Sequence, residues 1–164
     1  MPDIMAQTDH APVRVTPLPR VNRLLLRGDP AALGAVLDLS LPTKPCTAQP
    51  GERTVLWLGP DEWLLLASEH HPLAPWESDS GAAFDVTHRQ VALLIEGVRA
   101  ADVLAAACPL DLATLPVDFC TRTVFGKAEI ILLRQKETSF HIETSRSFAP
   151  YVQELLAESI RGLA

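Results

Sequence analysis

The chain has 164 residues, 48% of them hydrophobic, and a formal net charge of −6. That is enough apolar material for one buried core and leaves no basic stripe to neutralise phosphates, so one soluble domain is expected and nucleic-acid binding is not. No apolar run reaches the ~18 residues of a membrane-spanning helix, and the three cysteines, Cys46, Cys108 and Cys120, cannot all pair, which fits a reducing, cytoplasmic setting without a membrane.

In chain order, residues 1–20 carry acids early, prolines late and no apolar leader core, so they are expected to form an extended arm ahead of a single α+β domain at 21–164. In LLLRGDPAALGAVLDLSLP (24–42) an apolar strand meets Gly28. Asp29 is placed to cap the helix that follows, Pro30 suits its first turn, and Leu33, Val36 and Leu37 mark its buried face. TVLWLGPDEWLLLAS (54–68) reads as two strands joined at Gly59, Pro60, Asp61 and Glu62. Residues 63–67 are apolar on both faces, which calls for two covers, another subunit being a candidate for one.

The first stretch resembles LLIEGVRAADVLAAACPLDL (93–112), with Gly28 aligned on Gly97 and Pro109 stopping the helix after Val103, Leu104 and Ala107. EIILLRQKETSFHIET (129–144) then repeats strand, polar turn, strand. A last helix follows, with Ser147 as its cap and Phe148, Tyr151, Val152, Leu155, Leu156 and Ile160 on its apolar stripe; its counterpart after the first half is reduced to EHHPLAPWESDS. The pattern predicts an α+β fold of duplicated β-α-β-β units with pseudo-twofold symmetry, halves at about 21–84 and 85–164, and antiparallel sheet covered by helices on one side.

DVTHRQ (85–90) places an acid, a hydroxyl, an imidazole and a guanidinium close together. Alternation along a strand sets Asp85 and His88 on opposite faces, which denies an Asp–His relay. No GxSxG elbow or cysteine signature supplies a nucleophile, so the segment reads as a structural or interface cluster. His141 and Glu143 share one strand face but lack a third ligand, and read as a salt-bridged or solvated pair; His70 and His71 read as solvated loop residues. CTRTVFGKAEI (120–130) sets Arg122, Lys127 and Glu129 beside Thr121 and Thr123. That is either a receptor for a carboxylate or phosphate, or an exposed strand entering a bulge at Gly126; without a glycine-rich phosphate loop, the interface reading is preferred.

Taken together, GPDEWLLLA, DVTHRQ, CPLDL, CTRTVFGKAEI and SRSFAPYV, in this order and spacing, resemble the gamma subunit of heterotetrameric sarcosine oxidase from about residue 50 onward. The resemblance implies a fold similar to the folate-binding glycine-cleavage aminomethyltransferase and to a tRNA-modifying GTPase's N-terminal domain. It implies an accessory, non-catalytic chain that binds no cofactor or metal. The alpha, beta and delta subunits of its complex are expected to carry FAD, FMN, NAD, zinc and tetrahydrofolate. That complex oxidatively demethylates sarcosine to glycine with O2 and tetrahydrofolate, giving H2O2 and 5,10-methylenetetrahydrofolate. On this view Asp85, His88, Arg89, Arg122, Lys127 and Arg146 anchor strands to one another and to the alpha subunit. Ser145 and Gln153 depart from the resemblance, standing where aromatic side chains are common, which weakens or repacks docking at that edge. Two alternatives stay open: a free-standing folate-binding one-carbon module gripping a pterin through Glu96, Glu129 or Glu143, and a homodimer joined through an exposed sheet.

Overall fold

Residues 13–163 are described by a computed structural model. In chain order they form β1 (Arg14–Pro17), β2 (Val21–Gly28), α1 (Pro30–Leu37), β3 (Ala48–Gln49), β4 (Arg53–Gly59), β5 (Glu62–Ser68), β6 (Trp76–Ser78), β7 (Gly81–Asp85), β8 (Gln90–Glu96), α2 (Ala100–Ala105), β9 (Cys120–Phe125), β10 (Ala128–Lys136), β11 (Ser139–Ser145) and α3 (Ala149–Arg161). Two antiparallel sheets result, one ordered β1-β8-β11-β10-β9 and the other β3-β4-β5-β2-β7-β6.

The period of two along each strand separates the core into layers. Leu24 and Leu26 on β2, Val55 on β4, and Trp63 and Leu65 on β5 face α1, where Leu33 joins them. Leu56, Leu64 and Leu66 point the other way, against Cys120, Ile131 and Leu133 of the second sheet. The far face of that second sheet meets α2 and α3 through Leu132, Phe140, Ile142, Val103, Leu104, Val152 and Leu156. The second cover over residues 63–67 is therefore the other sheet of this same chain. Along one side the sheets are tied directly: Thr47 bridges Phe119, Ala48 N donates to Asp118 O at 2.8 Å, and Cys120 N to Cys46 O at 3.0 Å.

Local signals explain most element ends. Asp29 accepts from Ala32 N at 2.9 Å and caps α1, and the left-handed Asp38 ends it by returning its N–H to Gly34 O. The helix leans on Leu33 and Leu37 alone; Val36, expected in the buried face, is 61% exposed. At α3 the cap position belongs to Phe148 and has no side-chain cap, because the Ser147 hydroxyl is hydrogen-bonded to that of Ser145 at 3.0 Å. Gly28 (φ +135°) leaves β2 so close to Ser80 and Gly81 that a Cβ would lie 2.5 Å from their backbone, and Gly97 shares the same φ after β8.

Three further sequence expectations change. DVTHRQ is not a continuous strand: β7 ends at Asp85, residues 86–89 turn, and β8 starts at Gln90. Gly126 makes no bulge; with Lys127 it forms the two-residue turn of the β9–β10 hairpin, at φ +61°. Part of the expected arm is sheet, since β1 pairs with β8 (Val15 opposite Ile95) and Val13 is buried in the helix-covered core. Residues 1–12 of that arm lie outside the described residues.

Candidate functional site

Several of the polar residues singled out by sequence gather where the two sheets face each other. Arg23 sits on β2 with its side chain directed into the inter-sheet layer and is 2% exposed. Its Nε donates to Glu143 Oε2 at 2.7 Å and its Nη2 to Oε1 at 3.4 Å, while Nη1 donates to Val21 O at 3.1 Å. Glu143 Oε1 also lies 2.7 Å from His141 Nε2. His141 and Glu143 thus do share a face and a hydrogen bond, but the face is buried, not solvated. Taking a guanidinium and a carboxylate out of water is costly unless geometry and extra hydrogen bonds offset it, and here a forked contact between sheets does so.

Beside this pair, the 86–89 turn locks β7 to β2. Arg23 N donates to Thr87 Oγ1 at 2.9 Å, and Thr87 N to Asp85 Oδ1 at 2.9 Å. Thr87, by its side chain first and its backbone N–H second, holds the Asp85 carboxyl below its ordinary value. The His88 ring is engaged by Arg20, whose Nη2 donates to Nε2 at 2.8 Å, and Arg146 fastens the turn to the end of β11 by donating from Nε to His88 O at 3.0 Å and from its backbone N to Arg89 O at 2.9 Å. No Asp–His relay forms: Asp85 serves Thr87 and His88 serves Arg20.

Arg122 projects from β9 into the same inter-sheet space. Its Nη2 donates to Glu62 Oε1 at 2.6 Å and its Nε lies 3.8 Å from Glu129; Arg27 shares Glu62 from the other side. The sheets open here into a cleft of about 780 Å3 with Leu25, Leu64, Val86 and Ile131 below, and Arg89, Arg122, Arg146 and Gln90 among the polar lining. Arg89, Arg122 and Arg146 thus meet at one cleft. Asp85 and His88 lie in the adjoining turn, and Lys127 stands apart at the hairpin tip, where its backbone N–H donates to Tyr151 Oη at 3.1 Å.

Among the described residues no three His, Cys, Asp or Glu side chains stand together as a metal site would need. Cys120 Sγ is turned to Trp57 O at 3.4 Å, and burial pushes its thiol up to about 12, unsuited to thiolate chemistry. Of the acids set aside for a pterin, Glu143 is held by Arg23 and His141, and Glu129 approaches Arg122. What the arrangement does chemically is hold two sheets in register and present guanidiniums at one opening. Sequence reasoning missed Arg23 and Gln90; the signal for Arg23 was a lone arginine within the apolar strand VNRLLL, where only a partnered charge survives.

This arrangement of two antiparallel sheets with outer helices is similar in fold to part of an aminomethyltransferase T: the glycine cleavage system protein from Bartonella henselae superposes with a TM-score of 0.64 over 89% of this chain and 45% of its own, at 17% identity. A chain of the heterotetrameric sarcosine oxidase from Corynebacterium sp. U-96, solved in complex with pyrrole 2-carboxylate, matches with a TM-score of 0.82 at 28% identity, covering 92% of this chain and 84% of that one. The model of the "Sarcosine oxidase, gamma subunit family" matches residues 27–160, and the chain belongs to that family. It is 30% identical over 139 residues to sarcosine oxidase subunit gamma of Corynebacterium sp. (strain U-96), 79% of this chain and 68% of that relative. With the Arthrobacter sp. subunit gamma it shares 30% identity over 143 residues, 82% and 70% of the two.

Proposed function

We propose that this chain is the accessory gamma subunit of a cytoplasmic heterotetrameric sarcosine oxidase. In that complex sarcosine is demethylated to glycine, with O2 reduced to H2O2 and the one-carbon unit taken up by tetrahydrofolate as 5,10-methylenetetrahydrofolate. FAD, FMN, NAD, zinc and folate belong on the alpha, beta and delta partners, and this chain contributes surface instead of a reacting group. The observation that carries the reading is the match along 92% of the chain to a subunit of a heterotetrameric sarcosine oxidase. The use of polar side chains as ties between strands agrees with it.

Within this reading Asp85, His88, Arg122 and Arg146 hold the chain's own elements in place, while Arg89 and Lys127 keep cationic heads for a partner. The domain expected at 21–164 also takes in Val13 and β1 of the arm before it, and its halves, about 21–84 and 85–164, descend from one duplicated unit related by a pseudo-twofold. Support for the duplication comes from the matching strand orders β3-β4-β5-β2-β7 and β9-β10-β11-β8-β1 and from the shared φ of Gly28 and Gly97.

The test is to purify a tagged copy from its native cell. A yellow, flavin-containing assembly with larger chains is expected. A colourless chain recovered without partners overturns the reading.

A further inference from the structure

We infer that the cleft between the sheets seats an acidic segment of a partner subunit, with a carboxylate of that segment on Arg89 and one of its backbone N–H groups on Gln90 Oε1; this rests on the subunit reading above.

Charge is the first argument. The chain as a whole is at −6, yet the lining of this opening holds Arg89, Arg122 and Arg146 against Glu129 alone. A local cationic mouth on an acidic protein selects for a carboxylate, while the overall charge disfavours a polyphosphate. The three guanidiniums are not equally available. Arg122 is held by Glu62 and Glu129, and Arg146 by the His88 carbonyl. Arg89 is exposed and makes no side-chain hydrogen bond or ion pair among the described residues, so its fork is open to a planar carboxylate.

Gln90 supplies the second, independent argument. Gln90 lines the same cleft, and its Oε1 is shut off from solvent and has no hydrogen-bond partner among the described residues. A buried acceptor left alone is unfavourable, and a turn of the Gln90 side chain toward the cleft offers it to a donor docked there. Leu25, Leu64, Val86 and Ile131 give the floor an apolar surface. A guanidinium, an orphan acceptor and an apolar floor in one concavity match what an acidic peptide offers: carboxylate, amide N–H and aliphatic carbon. A small anion would use the first of these and leave the rest. Next in the chain after Ser147 of the lining comes Phe148, 45% exposed, the kind of aromatic that anchors protein interfaces.

The experiment uses the assembled complex carrying Arg89→Lys, which keeps the charge and provides a primary amine. A carbodiimide then condenses that amine with any carboxylate in contact, losing water and leaving an isopeptide bond that mass spectrometry maps. The expected result is a link from position 89 to an Asp, a Glu or the C-terminus of a partner chain, together with an about tenfold lower yield of complex for Arg89→Glu. An intact complex with no such link, or Arg89→Glu assembling like the parent, overturns the inference. So does native mass spectrometry finding a small molecule held by the chain in place of the peptide. Recovery of the tagged chain without partners overturns the subunit reading itself, and this inference with it.

Discussion

Arg23 Nε donates to Glu143 Oε2 across 2.7 Å, joining β2 of one sheet to β11 of the other with both side chains closed to solvent. Removing either partner leaves a buried, uncompensated charge, whereas removing both leaves none. Glu143→Ala is therefore expected to lower stability by about 3–5 kcal/mol, read from the urea midpoint of the purified chain. The paired change Arg23→Met with Glu143→Leu is expected to cost less than Glu143→Ala alone. A single substitution within about 1 kcal/mol of wild type would show that the pair is not buried as described.

Cysteine accessibility checks the inter-sheet layer separately. Cys120 is 0% exposed, with its thiol pushed up to about 12 by burial, and Cys108 is 6% exposed; Cys46 is only partly covered. In the native chain at mildly alkaline pH, iodoacetamide is expected to modify Cys46 alone, with Cys108 and Cys120 reacting after denaturation. Modification of Cys120 at the rate of Cys46 would mean that the two sheets do not close over it.

How far the sequence reached depends on which force set each feature. Helix and hairpin boundaries with a local chemical cause were legible: Asp29 and Pro30 at the start of α1, and the turn after Gly59. The face-to-face sheets were half legible, because Leu64 and Leu66 showed that a second cover exists but not that it belongs to the same chain. Ser147 misled because its hydroxyl found Ser145 before it could serve the helix. At the site, His141 and Glu143 could be paired from the strand period, whereas Arg23 lies 120 positions from Glu143 and reaches it only through the tertiary fold. The cleft was invisible for the same reason: Arg89, Arg122 and Arg146 come from three separate segments.

Acid titration tests the turn that follows β7. Because Thr87 holds the Asp85 carboxyl below its ordinary value, the unfolded chain takes up this proton more readily than the folded one. The contribution is present above the unfolded value and disappears as the pH falls through the folded one. Asp85→Asn should therefore melt below wild type near neutral pH and converge with it at about pH 2 in thermal scans. A gap that persists unchanged into acid would assign the loss to shape instead of charge.

Arg122 separates assembly from chemistry. Its partners Glu62 and Glu129 belong to this chain, Glu62 keeps Arg27 when Arg122 is removed, and Arg122 itself is 40% exposed in its side chain. Arg122→Ala is accordingly expected to change the isolated chain by no more than about 1 kcal/mol. In the proposed complex the same guanidinium lies at the cleft mouth, where a covered charge pair is worth more, and assembly is expected to weaken by about 2–5 kcal/mol. Comparing complex yield with the sarcosine-dependent H2O2 rate per flavin distinguishes the two roles. Reduced yield with near-normal turnover of the surviving complex is the outcome expected of an accessory subunit. Full assembly with abolished turnover would place a reacting group on this chain, contrary to the reading proposed for it.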